Sequence, residues 1–272
     1  LLCVNIMNYK EYFIKCREEY SQENKPTLDE FYNNPVITIP QRIFDQKYYE
    51  VIETLSSKVK LSFDNQPQQG LMLKSQNIWE YKDLLTSVAN YLVPFLEQER
   101  YGCHLYVDKV YIYRTLKINK RESSYLWHYD NNPKEIVKNI VYLNDVTEDN
   151  SPFEYLGRNK IGIAMEPSRK GPTQWNSAPN NSRIDKKQLY ELHKKGYSGV
   201  KVIGQKGKVV SFNNDCIHRA NPIKMGYRDV LNMRVKPTLK KPPEYLSKSF
   251  TTGFEHSGVV NKNPELAWSR LV

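Results

Sequence analysis

Residues 207–237 read GKVVSFNNDCIHRANPIKMGYRDVLNMRVKP, and this stretch decides the fold. Two short runs rich in β-branched residues, 207–212 and 228–237, enclose a polar segment carrying Asn213, Asn214, Asp215, Pro222 and Gly226. Apolar runs of this length bounded by Asn, Pro and Gly form strands, because the bounding residues favour turns while the branched ones suit a pleated surface. Pro222 and Gly226 suit a hairpin connection, which predicts that Arg228 lies on the strand beside His218.

The same texture extends upstream through VDKVYIYRTL (107–116), SYLWHYD (124–130), EIVKNIVYLND (135–145) and GVKVIG (199–204). It is an antiparallel β pattern rather than an alternation of strand and helix. Before it the period changes. Tyr48, Val51, Ile52, Leu55 and Val59 recur at helical spacing, as do Ile78, Tyr81, Leu84, Leu85, Val88, Leu92, Phe95 and Leu96, with Pro94 expected to bend or end the second helix. Between 157 and 200 lies a polar insertion holding Pro167, Pro172 and Pro179. Within it, DKKQLYELHKKG predicts a short helix capped by Asp185 and stopped by Gly196. The expected architecture is one α+β domain over 1–272. It has a mainly helical flank over 1–104, a β-barrel or two-sheet jelly roll over 105–237 interrupted at 157–200, and a tail over 238–272.

Chemistry enters at His128 and Asp130. Side chains alternate across a strand, so residues two apart share a face and can occupy neighbouring positions on one metal ion. His218 supplies a third ligand of the right kind. Two histidines and one carboxylate suit non-haem Fe(II), because the set leaves coordination positions open for a chelating co-substrate and oxygen. Arg228 offers a planar fork matched to a carboxylate. Tyr113 and Asn139 are candidates to hydrogen-bond the co-substrate, although Lys138 faces the opposite way from Asn139 and competes for that place. Trp127 and Tyr129 are read as packing. Cys216 shares strand parity with His218 but is read as a buried thiol, and His104, His193 and His256 as surface or structural residues.

WHYDNNP (127–133), IVYLNDVTEDNSPFEYL (140–156) and GKVVSFNNDCIHRANPIKMGYRDVL (207–231) resemble the Fe(II)/2-oxoglutarate-dependent oxygenases, in particular the phytanoyl-CoA dioxygenase-like and prolyl 4-hydroxylase-like branches. The resemblance covers residues 105–237. It implies a cupin-like double-stranded β-helix with Fe(II) on His128, Asp130 and His218, 2-oxoglutarate anchored by Arg228, and O2 as oxidant. It implies hydroxylation of a C–H bond with release of succinate and CO2. Asp130 favours that outcome over halogenation, since related halogenases lack the carboxylate. Phytanoyl-type members usually carry Gly where this chain has Ser151, and a small hydroxyl residue where it has Ala220.

A net charge of +10 and 20 tyrosines admit either an anionic small-molecule substrate or nucleic acid. The basic residues are dispersed, with only short pairs at Lys186-Lys187, Lys194-Lys195 and Lys240-Lys241, so no clustered patch supports nucleic acid. The 157–200 insertion, with Arg169, Trp175 and Arg183, is expected to cover the barrel mouth and contact an anionic or aromatic substrate. Alternatives are a non-catalytic cupin-like binding protein and an oxygenase acting on nucleic acid or a protein side chain. No apolar run approaches the roughly 20 residues that cross a bilayer. The opening LLCVNIMN is not expected to be a secretory signal, Met7 is a candidate start, and four scattered cysteines suit a reducing cytoplasm.

Overall fold

A computed structural model of the chain describes residues 9–24, 33–65, 78–117, 123–130, 132–165 and 183–252. The described strands run in chain order: β1 Val36–Thr38, β2 His104–Thr115, β3 Val137–Tyr142, β4 Phe153–Arg158, β5 Ile161–Gly162, β6 Ser198–Val202, β7 Val209–Asn213, β8 His218–Ala220, β9 Arg228–Thr238 and β10 Leu246–Thr252. The helices are α1 Tyr9–Glu23, α2 Gln46–Asp64, α3 Lys82–Leu96 and α4 Lys186–Lys194. Six strands form a major sheet in the order β1-β7-β3-β9-β2-β10, and β4 organises a minor sheet with β5, β6 and β8.

Alternation along the strands explains the layers. Val110 and Ile112 of β2, Val137 and Val141 of β3, and Leu231, Met233 and Val235 of β9 share one core with Phe13, Ile52, Leu55, Leu85, Val88 and Leu92 from the helices. The opposite face presents Ile140, Tyr142, Val210, Phe212 and Val230. These pack on Phe153, Tyr155 and Val202, so the two sheets stack face to face. A third, smaller cluster covers the outside of the minor sheet, where Leu156 and Ile217 meet Leu192 of α4, with Trp127 and Ile184 against them.

Helix ends follow their chemistry. The Asp45 carboxylate accepts from Tyr48 N at 3.0 Å to start α2. Asp185 and Gln188 close a capping box at the start of α4, and Gly196 adopts φ +86° just beyond its end, as the sequence predicts. Pro94 does not end α3 at once. Two more residues stay helical before the ladder widens into a π turn over Glu97–Tyr101, which stops on left-handed Gly102.

The structure adds detail to three expectations and corrects a fourth. The helical flank contributes β1, which pairs with β7. The tail contributes β10, parallel to β2. The 157–200 segment enters and leaves through strands of the minor sheet, β4 with β5 and then β6. The connection between β8 and β9 is not a hairpin: β8 pairs with β4, whereas β9 lies between β3 and β2 in the other sheet. The connecting backbone bonds elsewhere. Asn221 N donates to Pro152 O, and Lys224 N and Met225 N to Asp149 O, so the chain crosses between sheets instead of folding back on itself.

Candidate metal centre

His128 lies in an irregular segment beside His218 of β8. Each backbone N–H donates to the other's carbonyl, at 3.0 Å from His128 and 2.8 Å from His218. Residues directly opposite in an antiparallel bridge project to the same side, so both imidazoles enter the space between the sheets, with ring centroids 4.4 Å apart. Asp130 N donates to Asn214 O at 2.6 Å, which ties the carboxylate to the turn leading into β8.

The Nδ1 atoms of His128 and His218 each lie 2.8 Å from a backbone carbonyl two residues upstream, Leu126 O and Cys216 O. A carbonyl only accepts, so Nδ1 carries the proton and Nε2 keeps its lone pair. Asp130 Oδ1 is 4.0 Å from His128 Nε2, and Oδ2 is 3.7 Å from His218 Nε2. One ligand atom from each residue falls within 4.8 Å of the others. Neighbouring ligands on an octahedral ion stand about 3 Å apart, so the set fits a metal after a closing movement of about 1–2 Å.

Burial, then the neighbouring His218, pushes His128 down from 6.5 to about 3, and burial lowers His218 as well. Burial works to raise Asp130, but Lys138 and then the two histidines outweigh it and hold the carboxyl below the usual range. Lys138 Nζ sits 2.6 Å from Asp130 Oδ2. At neutral pH the site therefore offers two neutral imidazoles and one carboxylate, the protonation states a divalent ion requires.

Arg228 opens β9 opposite Thr115 of β2 and is 2% exposed. It shares parity with Val230, which faces the minor sheet, so the side chain enters the same space as the histidines although it belongs to the other sheet. Its Nη2 donates to Thr115 Oγ1 at 3.3 Å. Nε and Nη1 are buried with no partner among the described residues. A buried guanidinium with two unmatched nitrogens suits an anion, since such a charge is otherwise costly. Tyr113 lies two residues before Thr115 on the same face and hydrogen-bonds Asn232. Burial raises its phenol, with the Arg228 charge opposing and the Asp130 charge assisting, which places Tyr113 within electrostatic reach of both.

Asn139 does not face this space. It shares parity with Val137 and Val141 on the helix side of β3, is fully buried there, and donates from Nδ2 to Met233 O at 3.1 Å. Lys138 is the inward residue. The sequence set the two on opposite faces, and only the packed helices decide which face is which.

Arg183 also comes to the site. It forms a bridge with His128 on the side away from His218. Trp127 packs on the outer face of the minor sheet, where Arg219 lies 4.3 Å over its ring. Cys216 is buried in the inter-sheet core and burial raises its thiol strongly; Cys16 and Cys103 are likewise buried and free. His104 sits 3.6 Å from Glu97, and His193 lies 2.8 Å from Tyr197 O beside the end of α4. Arg169, Trp175 and His256 lie outside the described residues. Among those residues no helix is long and apolar enough to cross a membrane.

No family model matches the chain, and no curated protein matches it in sequence. Solved structures do. EctD from S. alaskensis with 2-oxoglutarate and 5-hydroxyectoine is 14% identical at a TM-score of 0.50, over 85% of this chain and 89% of that one. EctD with bound Fe is 15% identical at the same TM-score and coverage. HygX from Streptomyces hygroscopicus, with nickel and 2-oxoglutarate bound, is 14% identical over 78% of this chain and 86% of that one, at a TM-score of 0.47. The EctD likeness establishes a shared fold.

Proposed function

We propose that this chain is an Fe(II)- and 2-oxoglutarate-dependent oxygenase that hydroxylates a C–H bond of a small molecule. One observation carries the reading. A two-histidine, one-carboxylate triangle and a buried guanidinium with two unmatched nitrogens face one space from opposite sheets. The first group fits a metal with open positions and the second fits the far carboxylate of a dicarboxylate chelated there. The fold shared with EctD, crystallised with Fe and with 2-oxoglutarate, supports this reading and that of the stacked sheets as a double-stranded β-helix.

His128, Asp130 and His218 would hold the ion through Nε2, one carboxylate oxygen and Nε2. Arg228, with Thr115 beside it, would fix the distal carboxylate, and Tyr113 would line the path between. Bound together, ferrous ion and 2-oxoglutarate would supply activation of dioxygen, one oxygen atom going to succinate as CO2 leaves and the other to the substrate C–H bond. The protein's own work is positional. Leu126 O and Cys216 O fix the tautomers, Lys138 keeps Asp130 ionised and oriented, and the Phe153–Phe212 contact, centroids 4.6 Å apart, packs against His218 and excludes water from one side.

The test is an anaerobic titration of Fe(II)-loaded protein with 2-oxoglutarate. A chelated keto acid gives a visible charge-transfer absorption, expected here and absent in His218→Ala. Failure of the wild-type protein to develop it would reject the reading. Oxygen-dependent succinate formation then separates an enzyme from a cupin-like binding protein.

A further inference from the structure

We propose that Arg183 reads the substrate, taking an oxyanion, carboxylate or phosphate, on the molecule to be oxidised; this rests on the oxygenase reading above. The argument is one of register. His128 is bridged on one side to His218, which pairs in turn with Tyr155 of β4, and on the other side to Arg183. Directly opposed residues share a face, so Arg183, His128, His218 and Tyr155 form one row across the minor sheet, with Arg183 at its outer end.

The next residue confirms the direction. Ile184 packs in the outer cluster with Trp127, and its N–H donates to Trp127 O at 2.9 Å. Successive side chains alternate, so Arg183 points inward, as His128 does between the outward Trp127 and its neighbours. Its charge opposes protonation of both His128 and His218, and Asp130 in turn acts on Arg183, which fits a guanidinium close to all three ligands.

Charge completes the case. A divalent ion with one carboxylate ligand and a dianionic co-substrate, faced by Lys138 and Arg228, leaves the site cationic before Arg183 is counted. Lys134 and Asp215, 3.8 Å apart, offset each other. Arg183 adds to this field at the substrate's end of the row, where a substrate oxyanion neutralises it and a planar guanidinium grips it in one orientation. That grip sets which carbon lies over the metal, so Arg183 is a specificity residue rather than a holder of the co-substrate.

The test uses protein loaded with Mn(II) and saturating 2-oxoglutarate, with methyl phosphate and acetate as probes. The readout is proton relaxation of each probe's methyl group, which the paramagnetic ion accelerates only at close range. Saturable relaxation by one or both probes is expected in the wild-type protein. Arg183→Gln should weaken that binding by about tenfold or more, with Arg183→Lys in between, while the dissociation constant for 2-oxoglutarate stays within about twofold. The retained co-substrate affinity shows that the variants fold. Equal probe binding by wild type and Arg183→Gln, or no saturable binding by either, overturns the inference. Absence of 2-oxoglutarate binding in the wild type overturns the oxygenase reading instead.

Discussion

Arg228→Met is the sharpest perturbation the structure offers, because it moves stability and binding in opposite directions. In the ligand-free protein the guanidinium is 2% exposed, and two of its nitrogens have no partner among the described residues. A buried polar group left unsatisfied costs about 1–3 kcal/mol, and the bond lost to Thr115 is worth about 1 kcal/mol. Methionine fills similar length without polar atoms. The ligand-free variant should therefore match the wild type or exceed it by up to about 2 kcal/mol.

Binding moves the other way. Removing one partner of a buried, hydrogen-bonded charge pair costs about 2–5 kcal/mol, or about 30-fold to several thousandfold in affinity. At 2-oxoglutarate one hundred times its dissociation constant, the wild-type protein gains about 2.7 kcal/mol. In a chain of this size that is about 5–10 °C in Tm, and the variant should lose from about two-thirds to all of it. Thermal unfolding with Mn(II), with and without 2-oxoglutarate, measures both arms. A variant that is several kcal/mol less stable without ligand yet keeps the ligand-induced rise would refute the anion-receptor argument, since Arg228 would then be a structural cation.

Three further outcomes are expected. Tyr113→Phe should raise the 2-oxoglutarate dissociation constant by about three- to tenfold, the worth of one hydrogen bond, whereas Asn139→Val on the other face should leave it unchanged; calorimetric titration compares the two. Ser151 is fully buried at φ +69° with its hydroxyl unmatched among the described residues. Ser151→Gly relieves left-handed strain of about 1–2 kcal/mol against an unfolded-chain entropy of about 0.5–1, so stability should rise by up to about 1.5 kcal/mol, seen as a higher urea midpoint with no change in slope. Glu97 is buried and raised from 4.5 to about 7, while its oxygens accept from Leu105 N at 2.7 Å and the Tyr245 hydroxyl at 3.3 Å. The folded state then holds a proton that the unfolded state releases, so stability should fall by about 2–3 kcal/mol between pH 4.5 and 7. Glu97→Gln should flatten that part of the profile in denaturation series, and an unchanged slope would count against a buried, protonated Glu97.

What the sequence revealed and what it hid divide along a physical line. The convergence of His128, Asp130 and His218 was legible because metal chemistry restricts residue type, and type is written in the sequence; Arg228 was a candidate on the same ground. Partner choice between strands is not. The run from His218 to Arg228 looks like a hairpin locally, yet β8 and β9 join different sheets because their apolar partners come from distant segments. β3 shows why Lys138 and Asn139 could not be assigned: Val137 and Val141 make one face apolar, Ile140 and Tyr142 the other, so alternation sets opposition without direction. β1 and β10 escaped because a three-residue strand and one with only Leu246 and Phe250 buried carry too little pattern to register. Ser151 sits where the resembling family has Gly, and its positive φ supplies the reason that position favours one.

The division of the site between two sheets gives their spacing a chemical meaning. On the proposed reading the candidate metal ligands hang on the minor sheet and its approach segments and the candidate anchor on the major sheet, so a chelated dicarboxylate would span the gap. Tyr142 ties the two sheets together across that gap. It rises from β3 of the major sheet, its hydroxyl donates to Val202 O of β6 at 2.6 Å, and it accepts from Phe153 N of β4 at 3.3 Å. Phe153 and Val202 are themselves a register pair, so one phenol is bonded to two paired strands of the minor sheet. Apolar packing between sheets is non-directional and tolerates sliding, whereas a buried hydroxyl bonded at two points does not. The separation of the two sheets is thus fixed by a pin that bonds to neither the triad nor Arg228, and on the proposed reading a co-substrate of fixed length would be selected by a rigid gap rather than by the flexibility of its own anchors.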